Sequence, residues 1–389
     1  MNSSRPKIVV IDDDLADADG IVGDVADEPV QVIPMTPDSI EPDELEAAQL
    51  VVVDYLLENW RERDELSNPA LKPMNGLALI EVLRSHILEK RVDRGHTPAG
   101  FVLYSGDGEA FPESSLRYGS RHEHLVARLI NLDWFIFKGR DQAHRRNTLL
   151  SLATGFSQLG PTWPAASESE AEVYRLLALG GDEPWEIDAR EDVVACFGPI
   201  HGDLTQVAAR HRSAAPFVRW LLHRILPYPS CLWPLEHVAA HLRMEVDALR
   251  AVLETGTSQL SAELAKVSYA GPFRSLLGDR WWKAGVTDLV WRLTDGNPFS
   301  GDVVNRRVRD AAGSGAGIIA GAPVVPVLNE EFHLAGELSP VDGVVRLQLD
   351  EWPAYATLPA IKIETLDDTP DLKSYVLADD RHRLEEFND

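Results

Sequence analysis

Cysteine is almost missing from this chain: 389 residues carry only Cys196 and Cys231. Two cysteines make neither a disulfide framework nor a zinc-ligand spacing, so they read as reduced, buried thiols. Also missing is any apolar run near the roughly 18 residues that cross a bilayer. Residues 1–7 are too short and polar for a signal peptide, and the expected location is cytoplasmic. Basic residues are in deficit, with 37 Lys and Arg against 62 Asp and Glu and a net charge of −25. Residues 1–160 hold 27 acids and 16 bases, and residues 161–389 hold 35 and 21. Specific duplex binding rests on a basic face, so the acidic balance of both halves argues against it. Two small basic clusters exist, Arg140 with Arg145 and Arg146, and Arg306 with Arg307 and Arg309. Both read as solvated helix faces.

What is present begins with four short apolar runs, each ending on a polar residue. Ile8, Val9, Val10 and Ile11 lead to Asp12, Asp13 and Asp14. Leu50 to Val53 lead to Asp54, Phe101 to Tyr104 lead to Ser105, and Trp134 to Phe137 lead to Lys138. Such runs read as strands buried on both faces of a parallel sheet. Ligand sites of open α/β sheets lie at the carboxyl ends of the strands. Acids, a hydroxyl and an ammonium would therefore meet at one edge. A carboxylate there can act as a nucleophile toward a phosphoryl group. Paired acids suit Mg²⁺, a hard cation that takes oxygen ligands. An ammonium can neutralise phosphoryl oxygens.

With those residues in place, residues 7 to about 157 resemble a response-regulator receiver domain. Asp12 and Asp13 match its acid pair, Asp54 its phosphoacceptor, Ser105 with Gly106 its Ser/Thr and small neighbour, and Lys138 its lysine. Phe135 matches the aromatic three residues before that lysine. Met74, Asn75, Gly76 and Leu77 resemble the opening of its third helix. The resemblance implies a doubly wound, five-stranded parallel sheet of flavodoxin-like order, with Asp54, Ser105 and Lys138 as catalytic residues. It further implies Asp12, Asp13, Asp54 and Leu56 as the Mg²⁺ site, and Ser105 and Phe135 as a switch. The implied phosphodonor is a sensor histidine kinase or a phosphotransfer protein.

Two features depart from the family. Asp54 and Gly76 stand 22 positions apart, farther than in the family. The extra residues 58–69 are charged and carry Trp60, and they read equally as a lid or partner contact or as a solvated surface insertion. Gly139 follows Lys138 where the family usually has proline. The run Asp12, Asp13 and Asp14 also has a plain structural reading as a helix N-cap, which would explain one or two of its acids, but capping does not account for Asp54, Ser105 and Lys138 at matching strand ends.

The length predicts two or three domains. Residues 158–172, rich in Pro, Ser, Ala and Glu, read as a linker. Residues 173–312 read as mostly helical, with one apolar stripe at Val173, Leu176, Leu177 and Leu179. A second stripe at Phe217, Trp220, Leu221 and Ile225 ends at Pro227 and Pro229. Residues 234–253 have helix-turn-helix spacing, yet the second helix would open on Glu245 and Asp247, acids where phosphates would be met. A helical hairpin for packing or protein contact is the expectation. His237 and His241 share a helix face, but no third metal ligand stands at a useful spacing. Eight of the ten tryptophans follow residue 160, and most should be core. The glycine-rich residues 312–321 lack a P-loop lysine and read as a hinge or turn. Short strands after residue 323 predict a small β-rich subdomain reaching residue 389.

No separate catalytic motif is found in residues 161–389. The leading expectation is a response regulator of a phosphorelay whose output region binds a protein and no membrane. A phosphorylation-switched transcription factor that binds DNA, or an enzyme regulated by its receiver, are the alternatives.

Overall fold

The computed structural model describes residues 5–58, 75–94, 98–106, 122–197, 208, 213–313, 317–329 and 332–387. Trp60, Met74 and all of the insertion after Glu58 lie outside them. The first half alternates strand and helix: β1 Lys7–Ile11, α1 Leu15–Asp24, β2 Gln31–Met35, α2 Pro42–Ala47, β3 Leu50–Asp54, α3 Gly76–Arg94, β4 Gly100–Ser105, α4 His122–Leu129, β5 Trp134–Phe137 and α5 Gln142–Ser157. The strands form one five-stranded sheet in the order β2-β1-β3-β4-β5, every pair parallel. This is the doubly wound, flavodoxin-like order, with its switch point between β1 and β3.

Strand alternation sorts the side chains between two cores. Val9, Ile11, Val51, Val53, Leu103 and Phe135 face α2, α3 and α4. Ile8, Val10, Val52, Val102, Trp134 and Ile136 face α1 and α5. The second core does not stop at α5. It continues through Phe156, Leu159 and Trp163 into Val173, Leu176, Phe217, Trp220, Phe273 and Trp282. The chain from 158 to 172 is therefore no free tether. Leu159, Trp163 and Ser169 are buried, the Trp163 indole donates to Ser169 Oγ at 2.5 Å, and a helix runs from Ala166 to Leu176.

The middle of the chain is helical, as its apolar stripes predict. After a helix at Ala215–Trp220, residues Leu221–Ile225 widen into a π turn. Two short strands, β6 Leu232–Trp233 and β7 Trp281–Trp282, pair antiparallel. Helices follow at Leu235–Leu242, Val246–Thr255, Gln259–Lys266, Lys283–Leu293 and Gly301–Ala312. The first two are the helix pair with helix-turn-helix spacing. Arg243 makes the turn with φ 57°, a left-handed conformation that glycine adopts more cheaply. Residues 324–362 then form a four-stranded mixed sheet, β8 Val324–Leu328, β9 Leu334–Pro340, β10 Val344–Arg346 and β11 Ala360–Lys362, in the order β10-β11-β8-β9. Buried Asp380 closes this unit by accepting from the Arg346 backbone N–H at 2.8 Å and from its guanidinium at 2.9 and 2.8 Å. Among the described residues no helix is long and apolar enough to cross a membrane. Both cysteines are free and buried.

The sheet unit and the helical region also meet beside β5. His223, in the π turn, bonds through Nε2 to the Leu132 carbonyl at 3.0 Å and stacks on Trp134. Arg219 donates to Asn131 Oδ1 at 2.6 Å, and Arg128 pairs with Glu351 at 2.6 Å. Burial lowers the His223 pKa to about 4, against an unfolded value of 6.5. Below pH 6.5 the unfolded chain thus binds the extra proton. Stability is complete above that pH and falls as pH drops toward 4, with His223 contributing on the order of 3 kcal/mol. Denaturant titrations between pH 7.5 and 4.5 should show this slope, and His223→Gln should reduce it by one proton's share, leaving the share of His237, whose pKa burial also lowers. An equal slope in the variant would place the proton uptake elsewhere.

Candidate functional site

The carboxyl edge of the parallel sheet gathers the polar residues that end the four apolar runs. Asp12 leaves β1 with its N–H bonded to the Met35 carbonyl at 3.1 Å, so the first turn of the loop is tied to β2. Asp12 Oδ1 accepts from the Asp14 N–H at 3.0 Å, and Asp14 caps α1 by accepting from the Ala16 N–H at 2.9 Å. The N-cap expectation thus holds for Asp14 and leaves Asp12 and Asp13 for the edge. Asp54 ends β3, and its Oδ2 accepts from the Leu56 N–H at 3.0 Å. Ser105 is buried at the end of β4, in register with Phe137. Lys138 follows β5, and its N–H donates to the Ser105 carbonyl at 2.8 Å.

The side chains converge. Lys138 Nζ lies 2.7 Å from Asp54 Oδ1 and 3.8 Å from Asp17 Oδ2. It also stands 5.1 Å from the centre of the Tyr104 ring, a cation–π contact that the sequence did not suggest. Asp12, Asp13 and Asp54 each bring a carboxylate oxygen within 4.8 Å of the others. They are the only group of three or more potential ligands of this kind among the described residues, so His237 and His241 find no third partner.

The electrostatics describe a site short of positive charge. Burial raises the Asp12 pKa to about 6, helped by the charges of Asp54 and Asp13 and opposed by the Asp14 N–H and Lys138. Burial also raises that of Asp54, against the hydrogen bond and charge of Lys138. For Lys138 burial works against the charged form, but Asp54, Asp12 and Asp17 outweigh it and hold the ammonium protonated. Asp12 Oδ2 is buried and has no hydrogen-bond partner. An orphaned oxygen among three close carboxylates fits a divalent cation. Leu56, half exposed just past β3, has only its backbone carbonyl to offer such an ion.

Phe135 is fully buried on the face of β5 opposite Trp134, packed with Leu103 and Val53. Gly139, where the family has proline, is packed over by the Phe137 ring, and every described peptide bond is trans. The Lys138 turn is held from behind by Arg145. Its guanidinium bonds both oxygens of buried Asp24 at 2.8 and 3.1 Å, and the Lys138 and Arg140 carbonyls at 3.3 and 2.5 Å. The cluster of Arg140, Arg145 and Arg146 is therefore not simply a solvated face. Arg145 braces the site, and Arg146 pairs with Glu28. A bidentate partner 121 residues away leaves no local signal in the sequence.

Gly76 explains why the chain must return beside Asp54 after the insertion. Its N–H donates to the Tyr55 carbonyl at 2.8 Å, and a Cβ would overlap the Asp54 carbonyl oxygen. Gly76→Ala should therefore cost about 1–3 kcal/mol and displace Asp54. Equilibrium denaturation checks this, and unchanged stability would mean the close approach is not there.

No protein-family model matches the chain, and no curated protein matches it. Among solved structures, the chain is similar to full-length FixJ from B. japonicum, with 16% identity and a TM-score of 0.25 over 57% of this chain and 98% of that chain. So low a score carries no weight, and the fold stands on the strand order and register described above.

Proposed function

We propose that this chain is a response regulator in which Asp54 accepts a phosphoryl group. Residues 1–157 would receive the signal, and residues 173–312 with 323–389 would deliver it. The observation that carries the proposal is the meeting of Asp12, Asp13 and Asp54 with Lys138, 2.7 Å from Asp54, at one sheet edge. An Asp54 oxygen attacks the phosphorus of a phosphohistidine on a sensor kinase or phosphotransfer protein. An O–P bond forms, the N–P bond breaks, and its electron pair stays on the imidazole. Lys138 exchanges its Asp54 oxygen for a phosphoryl oxygen, and the Ser105 hydroxyl donates to another. Mg²⁺, held by Asp12, Asp13, Asp54 and the Leu56 carbonyl, would offset repulsion between the acids and the incoming phosphoryl group.

The route outward begins at β5. Ser105 shifting toward the phosphoryl group draws Phe135 behind it. Trp134, the next residue, stacks on His223 of the π turn. Phosphorylation would thus bias the contact between residues 122–134 and 219–228. Incubation with acetyl phosphate and Mg²⁺ should add a single base-labile phosphate, absent in Asp54→Asn and reduced in Asp13→Asn, as read by intact mass. Hydrogen exchange should change in residues 122–134 and 219–228 when beryllofluoride replaces the phosphoryl group. An adduct that survives in Asp54→Asn would sink the proposal.

The output is assigned to a protein partner. The second helix of the candidate helix-turn-helix does not present a free N-terminus. The Glu245 N–H donates to the Gly317 carbonyl at 2.8 Å, and the Ile319 N–H donates to the Arg243 carbonyl at 2.8 Å. Residues 317–319 thus lie across the end that would enter a groove, and Asp247 is exposed beside it. Mixed duplex DNA at low salt should bind no tighter than about 10⁻⁴ M. Submicromolar, salt-sensitive binding lost in Arg250→Ala would restore the transcription-factor reading.

A further inference from the structure

A cleft of about 1520 Å³ opens between the helix pair and the C-terminal sheet. One wall carries Trp233 of the short strand, His237 and His241 of the first helix of the pair, and Arg280 just before Trp281, and the lining also includes Val325, Trp352 and Pro359. Ten buried side-chain nitrogen or oxygen atoms among the described residues lack a hydrogen-bond partner. Four of them sit on this one wall: Trp233 Nε1, His237 Nδ1, His241 Nε2 and Arg280 Nε. An unpaired buried polar atom is costly, so four on one wall of one cleft call for a common cause. The Trp233 ring lies 6.4 Å from the His237 ring and 5.2 Å from the His241 ring, so three of the four residues form one cluster. Arg280 adjoins it through the pairing of Trp233 with Trp281.

The chemistry of the cluster selects a ligand class. Trp233 and Arg280 can only donate. Arg280 spends its terminal nitrogens on the carbonyls of Gly278, Asp279 and Leu226 and forms no salt bridge among the described residues. The residue is half-buried with no carboxylate bonded to it, and burial lowers its pKa to about 10 against the charges of Glu236 and Asp279. Burial also holds His237 neutral, with a pKa of about 3, so the imidazoles supply hydrogen bonds and flat surface rather than charge. The remaining lining is rich in rings that favour stacking, among them Tyr228, Trp281 and Phe299.

From this wall we infer a second binding site, for a small organic anion with a carboxylate or phosphate head and a flat apolar body. The head sits at the Trp233–Arg280 end, and the body lies along the aromatic and proline lining. Pockets for one small ligand hold about 300–1,000 Å³, so part of the cleft stays wet. The walls come from both the helix pair and the C-terminal sheet, so occupancy would tie these two units together. The inference does not depend on phosphorylation of Asp54.

Calorimetric titration of the full chain tests it with 2-naphthoate, phenyl phosphate, uncharged 2-naphthamide and inorganic phosphate. At least one aromatic anion should bind about tenfold tighter than 2-naphthamide, because the charged hydrogen bond to Arg280 is lost with the amide. It should also bind about tenfold tighter than inorganic phosphate, which lacks the stacking body. The comparison of 2-naphthoate with phenyl phosphate identifies the head group. Arg280→Gln should lose that preference for charge. Trp233→Phe keeps the ring and removes one donor, and should weaken binding about fivefold with an unchanged melting temperature. Asp54→Asn should bind like the parent chain. Neither aromatic anion binding tighter than both 2-naphthamide and inorganic phosphate, no heat from any probe up to about 1 mM, or a folded Trp233→Phe that binds normally would each overturn the inference.

Discussion

The contact between Phe156 and Phe273 is where the sheet and the helical region become a single core. Their rings meet edge to face at 5.2 Å. Each ring sits where a glycine leaves room: a Cβ on Gly100, at the start of β4, would overlap Phe156, and a Cβ on Gly155 would overlap Phe273. Phe273 reaches its place with φ 60°, an uncommon conformation for a bulky residue. Such a residue persists only where surrounding packing over-determines it. Two missing side chains and one strained residue thus set how α5 is shared. One side of the helix closes the sheet, and the other carries the helical region. A rearrangement at the sheet cannot be absorbed by a loose connection, because the connecting residues Leu159 and Trp163 are themselves buried in that core.

The acid edge depends on this rigidity. Three carboxylates within 4.8 Å of one another repel, and burial makes the repulsion harder to screen. Lys138 answers part of it, and Arg145 fixes the Lys138 turn by bonding carbonyls on both sides of Gly139 while pairing with Asp24. The Arg145–Asp24 pair also joins α5 to α1, so the helix that anchors the output side anchors the lysine. The site is kept short of positive charge by its packing, a condition that suits a divalent cation.

The sheet was legible because its central strands are buried and obey one pattern: apolar runs ending on polar residues. The edge residues were legible for the same reason, since strand ends fix their position before any side chain is placed. Gly76 was readable as part of a motif, although its physical role, the close pass over the Asp54 carbonyl, appears only in three dimensions. What the sequence hid is non-local. Arg145 looked like one of three solvated bases until its partner was placed. Asp380, which clamps Arg346, lies 34 residues from its partner and leaves no local signal. Residues 158–172 looked like a linker because Pro, Ser and Glu outnumber apolar residues there, yet the few apolar side chains are the ones buried. Arg243 stood where glycine is usual and still takes the left-handed turn, a local cost of about 1–2 kcal/mol offset by packing of its guanidinium over Gly301.

The helix pair itself shows why spacing did not decide function. Its apolar positions, Val238, Leu242, Leu249 and their neighbours, are buried as a helix-turn-helix would bury them. The same spacing serves any packed helical hairpin, and the distinguishing question is what covers the second helix. Here residues 317–319 and β9 lie against it, and Leu338 joins its core. With that end closed, the face left open by the pair is the one toward the cleft, where Trp233, His237 and His241 stand. Four unpaired polar atoms of this region thus belong to residues lining the cleft. Such a lining suits a ligand small enough to enter, whereas a duplex needs a convex, basic ridge. The charge of the output region and the geometry of its helix pair thus point the same way, from two unrelated physical constraints.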